Sequence, residues 1–244
     1  MANVALTVQY KGKHYCGFQR QPNVLSVQEV LEEALSKTFK ENISVVASGR
    51  TDAGVHALGQ VVNFHVETTI DIGNMPKVIN YHLPRDISIV DAKFVDENFS
   101  ARFDAKSKVY KYVIYNNKNR SGVYDEFSFN FPHKLDIELM KSGVMGIIGT
   151  HDFTSFMGRD SVVKDGIRTI YSIDIQRCGD FVEITFHGKS FLRNMIRIIV
   201  GSLCDIGRGK LPVDFLENSL IHKDRSKAGF TAPAQGLFLI EVRY

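Results

Sequence analysis

The chain has 244 residues, enough for one large domain or two small ones, and its 44% hydrophobic, 11% aromatic and 23% charged residues exclude a disordered chain, a collagen-like fibre and a coiled coil. Thirty Lys and Arg against 27 Asp and Glu leave +3, too slight an excess to announce an anionic partner. Cys16, Cys178 and Cys204 make neither a disulfide framework nor a CxxC metal pair, and neither a signal-like N-terminus nor a membrane-length apolar run is visible, so the expectation is a soluble cytoplasmic protein.

Residues 3–10 place Val4, Leu6, Val8 and Tyr10 on one face, the period of a half-buried strand. Ser26 and Glu29 form a capping box ahead of Val27, Val30, Leu31, Ala34, Leu35 and Phe39 at helical spacing. Strands follow at 43–48 and 60–66, separated by a polar, Gly-containing loop. Asn74 and Pro76 open a short helix that ends near His82, because Pro84 disfavours a helical Leu83. A strand at 87–95 completes the first half. The second half repeats the order, with a strand at 108–115, a helix from Asp136 to about Gly149, strands at 169–176 and 180–187, a helix at 190–206 and a last strand at 237–243. Residues 207–235 fall outside this repeat and read as a short helix and a loop.

Each half thus reads strand, helix, strand, strand, helix, strand, the split order of a ferredoxin-like unit. The predicted class is α+β, two ferredoxin-like halves joined into one mixed, mainly antiparallel sheet with a central cleft. The polar stretch 96–107 marks the boundary, giving an N-terminal half over 1–104 and a C-terminal half over 105–244.

Charge is concentrated. Ser100–Arg120 carries a local net of +5 and His187–Lys210 a local net of +4, and Tyr15, Phe18, Phe103, Tyr110, Tyr112, Tyr115 and Phe191 interleave with the basic runs. Cations neutralise phosphates and rings stack on exposed bases, so the mixture suits a structured or partly single-stranded nucleic acid. The same cations also suit the solvated faces of strands and helices.

The segment HGKS at 187–190 lacks the first Gly of a phosphate loop, GRGK at 207–210 fails too, and no HExxH or zinc-type Cys/His spacing occurs. Neither a metal nor a cofactor is expected, which leaves side-chain chemistry. SGRTDAGVHALGQ at 48–60 gathers Gly49, Arg50, Thr51, Asp52, Gly54, His56 and Gly59 between two strands, a mix of flexible backbone and reactive groups. Asp followed by small residues is ordinary turn chemistry as well, and His56 reads as structural.

GRTDAGVHALGQVVNFH resembles the signature of the tRNA pseudouridine synthase A family. The similarity continues through SVQEVLEEAL at 26–35, FSARFDAKSKVYKYVIYN at 99–116, HDFTSF at 151–156, FLRNMIRIIVGSL at 191–203 and TAPAQGLFL at 231–239. The resemblance implies a uridine at positions 38–40 of the tRNA anticodon stem-loop as substrate, pseudouridine as product, and no cofactor. It implies Asp52 as the nucleophile, Tyr110 packing on the target base with a part in handling the C5 proton, and Arg50 entering the space left by the flipped base. It implies Arg197 paired with the catalytic aspartate, tRNA contact by Arg102 and Arg168 with Thr51 and Phe103 counted among the substrate-binding residues, and a homodimer. Two positions depart from the pattern. Phe18 stands where many relatives have Trp in GWQ, a change expected to bear on packing or RNA contact rather than chemistry. Ile70 lies where some relatives carry an Arg that contacts tRNA.

Two other readings compete. A non-catalytic RNA-binding protein would explain the basic and aromatic clusters but not GRTDAG together with Arg197. A glycosidase or nucleosidase also uses a carboxylate at a glycosidic carbon, but usually needs a second acid, and no partner for Asp52 is evident in the sequence.

Overall fold

The computed structural model describes residues 1–158 and 165–244. The chain divides into two units, Met1–Lys106 with Phe238–Tyr244, and Ser107–Leu237.

In the first unit, strand β1 (Ala2–Tyr10) buries Val4, Leu6 and Val8 completely and Tyr10 almost so. Helix α1 (Val27–Phe39) begins where the capping box places it, with Ser26 Oγ accepting from the Glu29 N–H, and it ends at left-handed Lys40. It buries Val27, Leu31, Ala34 and Leu35 on its apolar face. Strand β2 is only Val46–Ala47, shorter than the predicted 43–48. Side chains of α1 take the earlier amides: Ile43 N–H donates to Ser36 Oγ at 3.1 Å and Val45 N–H to Glu32 Oε1 at 3.1 Å, so neither enters a ladder. Strand β3 (His56–Val66), the short helix α2 (Met75–Asn80) and strand β4 (Ile87–Val95) follow. The Asn80 side chain exchanges two hydrogen bonds with the backbone of Ile89, at 2.9 and 2.7 Å, tying the end of α2 to β4. The strands lie in the order β4-β1-β3-β2, all antiparallel, which is the ferredoxin-like arrangement.

The second unit contains β5 (Ser107–Tyr115), β6 (Phe129–Asn130), α3 (Ile137–Val144), β7 (Gly149–Asp152), β8 (Ile167–Cys178), β9 (Phe181–Gly188), α4 (Met195–Gly207) and α5 (Phe215–His222). Its sheet runs β5-β9-β8-β7, antiparallel throughout, and β6 adds a short parallel pairing to β5. The helix predicted over 190–206 starts later because Asn194 has a left-handed backbone, φ 61°, which a right-handed helix cannot incorporate. Every residue of α4 is buried except Arg197. Strand β10 (Leu237–Arg243), which from Phe238 onward belongs to the first unit, pairs in parallel with the start of β3, Phe238 opposite His56 and Leu239 opposite Ala57. This pairing carries β3 back to residue 56, ahead of the predicted start at 60. Both units mix helices with mainly antiparallel strands, as the α+β class requires. Among the described residues no helix is long and apolar enough to cross a membrane.

Candidate active site

The loop between β2 and β3 carries Arg50, Thr51 and Asp52, and its backbone is held at several points. Gln60, on β3 and fully buried, donates from Nε2 to the Gly49 carbonyl at 2.9 Å and accepts from Ser48 Oγ at 2.6 Å. The Thr51 hydroxyl shares a 2.7 Å hydrogen bond with the Tyr10 hydroxyl in the interior. The Thr51 carbonyl accepts from Phe18 N–H at 3.1 Å. Phe18 is itself fixed: the carbonyls of Gly17 and Phe18 accept from Val27 and Gln28, capping the first turn of α1. Gly17 has φ +88°, and a Cβ there would stand 2.8 Å from the Thr51 carbonyl oxygen, so a glycine is required at this approach.

On the far side of Asp52 the chain turns back, with Val55 N–H donating to the Asp52 carbonyl at 3.1 Å. Gly12 packs so closely that a Cβ would lie 2.0 Å from the Val55 carbonyl oxygen, and its N–H donates to His56 Nδ1 at 3.2 Å. His56 is buried and stacks on Phe238 with ring centroids 4.8 Å apart, the structural role expected for it. Asp52 is half-buried and Arg50 exposed at the crest of this clamped loop. Burial pushes the Tyr10 phenol well above its ordinary range, against hydrogen bonds from Thr51 and Gln60 that pull the other way. Tyr10 is therefore neutral at any working pH.

Arg102 and Phe103 sit together on another segment of the same unit. Both are exposed, and the guanidinium lies 5.4 Å from the centre of the Phe103 ring. That segment hangs from β1 and β3: Asn3 Nδ2 donates to the Phe99 carbonyl at 2.9 Å and Ala101 N–H donates to Asn63 Oδ1 at 2.8 Å.

In the second unit Tyr110 on β5 is buried with its ring edge-on to Phe191, 5.4 Å between centroids. Tyr112 is fully buried, donates to the Pro233 carbonyl at 2.7 Å and belongs to the core; burial pushes its phenol well above the ordinary value. Arg197 projects from buried α4 and donates from Nε to the Ala232 carbonyl at 2.7 Å and from Nη1 to Asn194 Oδ1 at 2.9 Å. The Ala232 N–H returns a bond to the Arg197 carbonyl at 3.0 Å. The segment before Ala232 lies directly on α4, since Gly229 N–H donates to Ser202 Oγ and a Cβ on Gly201 would meet the Phe230 carbonyl oxygen at 1.9 Å. Arg168, on β8, turns its guanidinium onto the carbonyls of Asp165 and Ile167.

The structure thus gathers Arg50, Thr51 and Asp52 on one loop, pairs Arg102 with Phe103, and carries Tyr110, Arg168 and Arg197 on three elements of the second unit, β5, β8 and α4. Gln60 and Asn194 were not singled out by the sequence. Gln60 could have been, because it stands in phase with Val62, Phe64 and Val66 on the core-facing side of β3, where a polar residue needs a partner. Nothing local marks Asn194. Among the described residues no group of three or more His, Cys, Asp or Glu could hold a metal ion.

The class of the protein is given by comparison with known proteins. A sequence model of the tRNA pseudouridine synthase family matches residues 6–104 and 145–244. The chain belongs to that family, whose members are isomerases. Curated relatives called tRNA pseudouridine synthase A align over their full length or nearly so. Those from Thermoanaerobacter sp. (strain X514) and Geotalea daltonii are 43% and 42% identical over 244 residues, all of both chains. That from Bacillus pumilus is 41% identical over 243 residues, 99% of this chain and 98% of the relative. Among solved structures, one titled as a Cbf5-Nop10-Gar1 complex matches 96% of this chain at 9% identity with a TM-score of 0.40, and the chain spans 57% of it.

Proposed function

We propose that the protein isomerises uridine to pseudouridine at positions 38–40 of the tRNA anticodon stem-loop, with Asp52 as the nucleophile and no cofactor. The observation that carries this reading is the clamped loop. Asp52 is the only acid between Ser48 and Val55; ahead of it Gly49 and Thr51 are hydrogen-bonded to β3, to β1 and to the segment that caps α1, and after it Val55 closes a turn onto the Asp52 carbonyl. In the reaction the C1′–N1 bond breaks, uracil turns in the site, a C1′–C5 bond forms, the C5 proton leaves to solvent and N1 takes up a proton, so that substrate and product are isomers. Nothing is oxidised or hydrolysed. The chemistry therefore asks for a nucleophile and a pocket that retains free uracil, not for a redox or group-transfer partner.

A stacked uridine must leave its helix, at a cost of a few kcal/mol. Tyr110 is the platform for the flipped base in this reading, and Arg50, exposed on the same loop as Asp52, fills the space vacated. Arg197 keeps the Asp52 carboxylate ionised and oriented; a guanidinium already held by Asn194 and the Ala232 carbonyl loses little freedom in doing so. Thr51 and Phe103 belong to the substrate-binding residues, while Arg102 and Arg168 supply affinity for the RNA backbone, so binding weakens steeply with salt. A second copy of the chain completes the tRNA platform as a homodimer in the cytoplasm.

The test is release of tritium from C5 of labelled uridine in tRNA. The Asp52→Asn enzyme is expected to bind tRNA and release no tritium. Normal release by that variant would overturn the mechanism, and free uracil as the product would move the assignment to a nucleosidase.

A further inference from the structure

We propose that Tyr10 is a positioning residue for the reaction: its hydroxyl, gripping Thr51 in the interior of the first unit, sets where the Asp52 carboxylate stands. The inference rests on the reading of Asp52 as nucleophile and extends it to a residue on β1 that touches no substrate.

Thr51 is separated from Asp52 by a single peptide bond, and its side chain points inward, not toward solvent. The 2.7 Å bond between the two hydroxyls joins groups that are 4% and 7% exposed, so water cannot stand in for either partner. The contact is buttressed. The Gln60 side chain hydrogen-bonds the Gly49 carbonyl and Ser48, so one buried amide ties β3 to the start of the same loop. The Tyr10 ring is held by Phe18, 6.1 Å away between centroids, and the Phe18 N–H binds the other end of the same threonine. Thr51 is thereby fixed by side chain and by main chain from two different elements, β1 and the segment capping α1. Such double fixing exceeds what a surface turn needs. It suits a loop whose next residue must meet a reacting carbon, where a displacement of about 1 Å costs on the order of a hundredfold in rate.

The experiment compares Tyr10→Phe, Thr51→Val, the double variant and Thr51→Ser, measuring tritium release for kcat and KM and urea unfolding for stability, with Asp52→Asn alongside. Each single removal is expected to lower kcat about tenfold or more with KM for tRNA within about threefold, since binding and chemistry separate when a group acts on the transition state alone. The double variant leaves no lone buried hydroxyl and should regain stability over the singles, while its kcat stays as low as that of the worse single. Thr51→Ser keeps the hydroxyl and should bring kcat back to within a few-fold of wild type. If Tyr10→Phe turns over within twofold of wild type, or if kcat of the double variant recovers along with its stability, Tyr10 is only a packing residue. Should Tyr10→Phe fail to fold, Thr51→Val against Thr51→Ser carries the same decision. An active Asp52→Asn enzyme would remove the nucleophile reading itself; an inactive one beside an unimpaired Tyr10→Phe removes only this proposal.

Discussion

Replacing Arg197 by Lys tests whether a planar fork or merely a positive charge is needed at the one residue of α4 that is not buried. The guanidinium donates from Nε to the Ala232 carbonyl at 2.7 Å and from Nη1 to Asn194 Oδ1 at 2.9 Å. A lysine ammonium is a single point on a flexible stem and can keep one of them. Losing the other, a hydrogen bond to a charged donor, costs about 1.5–3 kcal/mol. For a chain of this size each kcal/mol lowers the melting temperature by about 2–4 °C, so the variant should melt about 3–12 °C below wild type. Under the proposed mechanism the fork also orients the Asp52 carboxylate, and kcat should fall at least about tenfold, equivalent to about 1.4 kcal/mol, with KM for tRNA little changed. Asn194→Gly separates the two effects, since glycine keeps the left-handed backbone and removes one acceptor without touching the charge. It should share the loss of stability and show a smaller loss of turnover. The assays are urea unfolding and tritium release under the same conditions. An Arg197→Lys enzyme with normal turnover and an unchanged unfolding midpoint would show that neither bond matters.

The close approach of Gly12 to Val55 predicts that Gly12→Ala, whose Cβ would fall 2.0 Å from a backbone oxygen, destabilises by about 1–3 kcal/mol and displaces the turn that follows Asp52. Urea unfolding and tritium release should both register it, whereas Gly122→Ala, with nothing within 4 Å, should stay within about 0.5 kcal/mol of wild type; equal behaviour of the two variants would contradict the geometry. A second expectation concerns acid. Hydrogen bonds from Thr154 and the ammonium of Lys223 hold the Asp152 carboxyl below its ordinary value of 3.8. Its contribution to stability is therefore complete above that value and is lost as pH falls through the lower folded value. Because the group is partly exposed, the effect should be no more than about 1 kcal/mol. Asp152→Asn should flatten this part of the acid-side loss in urea midpoints measured from neutral to acid pH, and an unaltered slope would refute the assignment.

Much of the fold follows from local pattern. The alternation of Val4, Leu6 and Val8 sets β1, and Ser26 with Glu29 starts α1 where the capping box predicts. Both signals are legible because they depend on neighbours a few residues away. The errors arise where a distant partner intervenes. Residues 43–45 have the composition of a strand, but Ser36 and Glu32 on α1 capture the amides of Ile43 and Val45. Residues 190–193 look helical, but Asn194 adopts a left-handed backbone and delays α4 to Met195.

The candidate site divides along the same line. The grouping of Arg50, Thr51 and Asp52 between two strands, and its resemblance to a family motif, could be read from the chain alone. That Tyr10, Phe18 and Gln60 grip this loop could not, nor that Asn194 and Ala232 hold Arg197. Hydrophobic period fixes which face of a strand turns inward, because burial depends only on side-chain polarity and the two-residue repeat. It does not say which buried polar groups will meet, since a hydrogen bond requires a partner within about 3 Å and that partner comes from wherever the sheet order and the strand register deliver it.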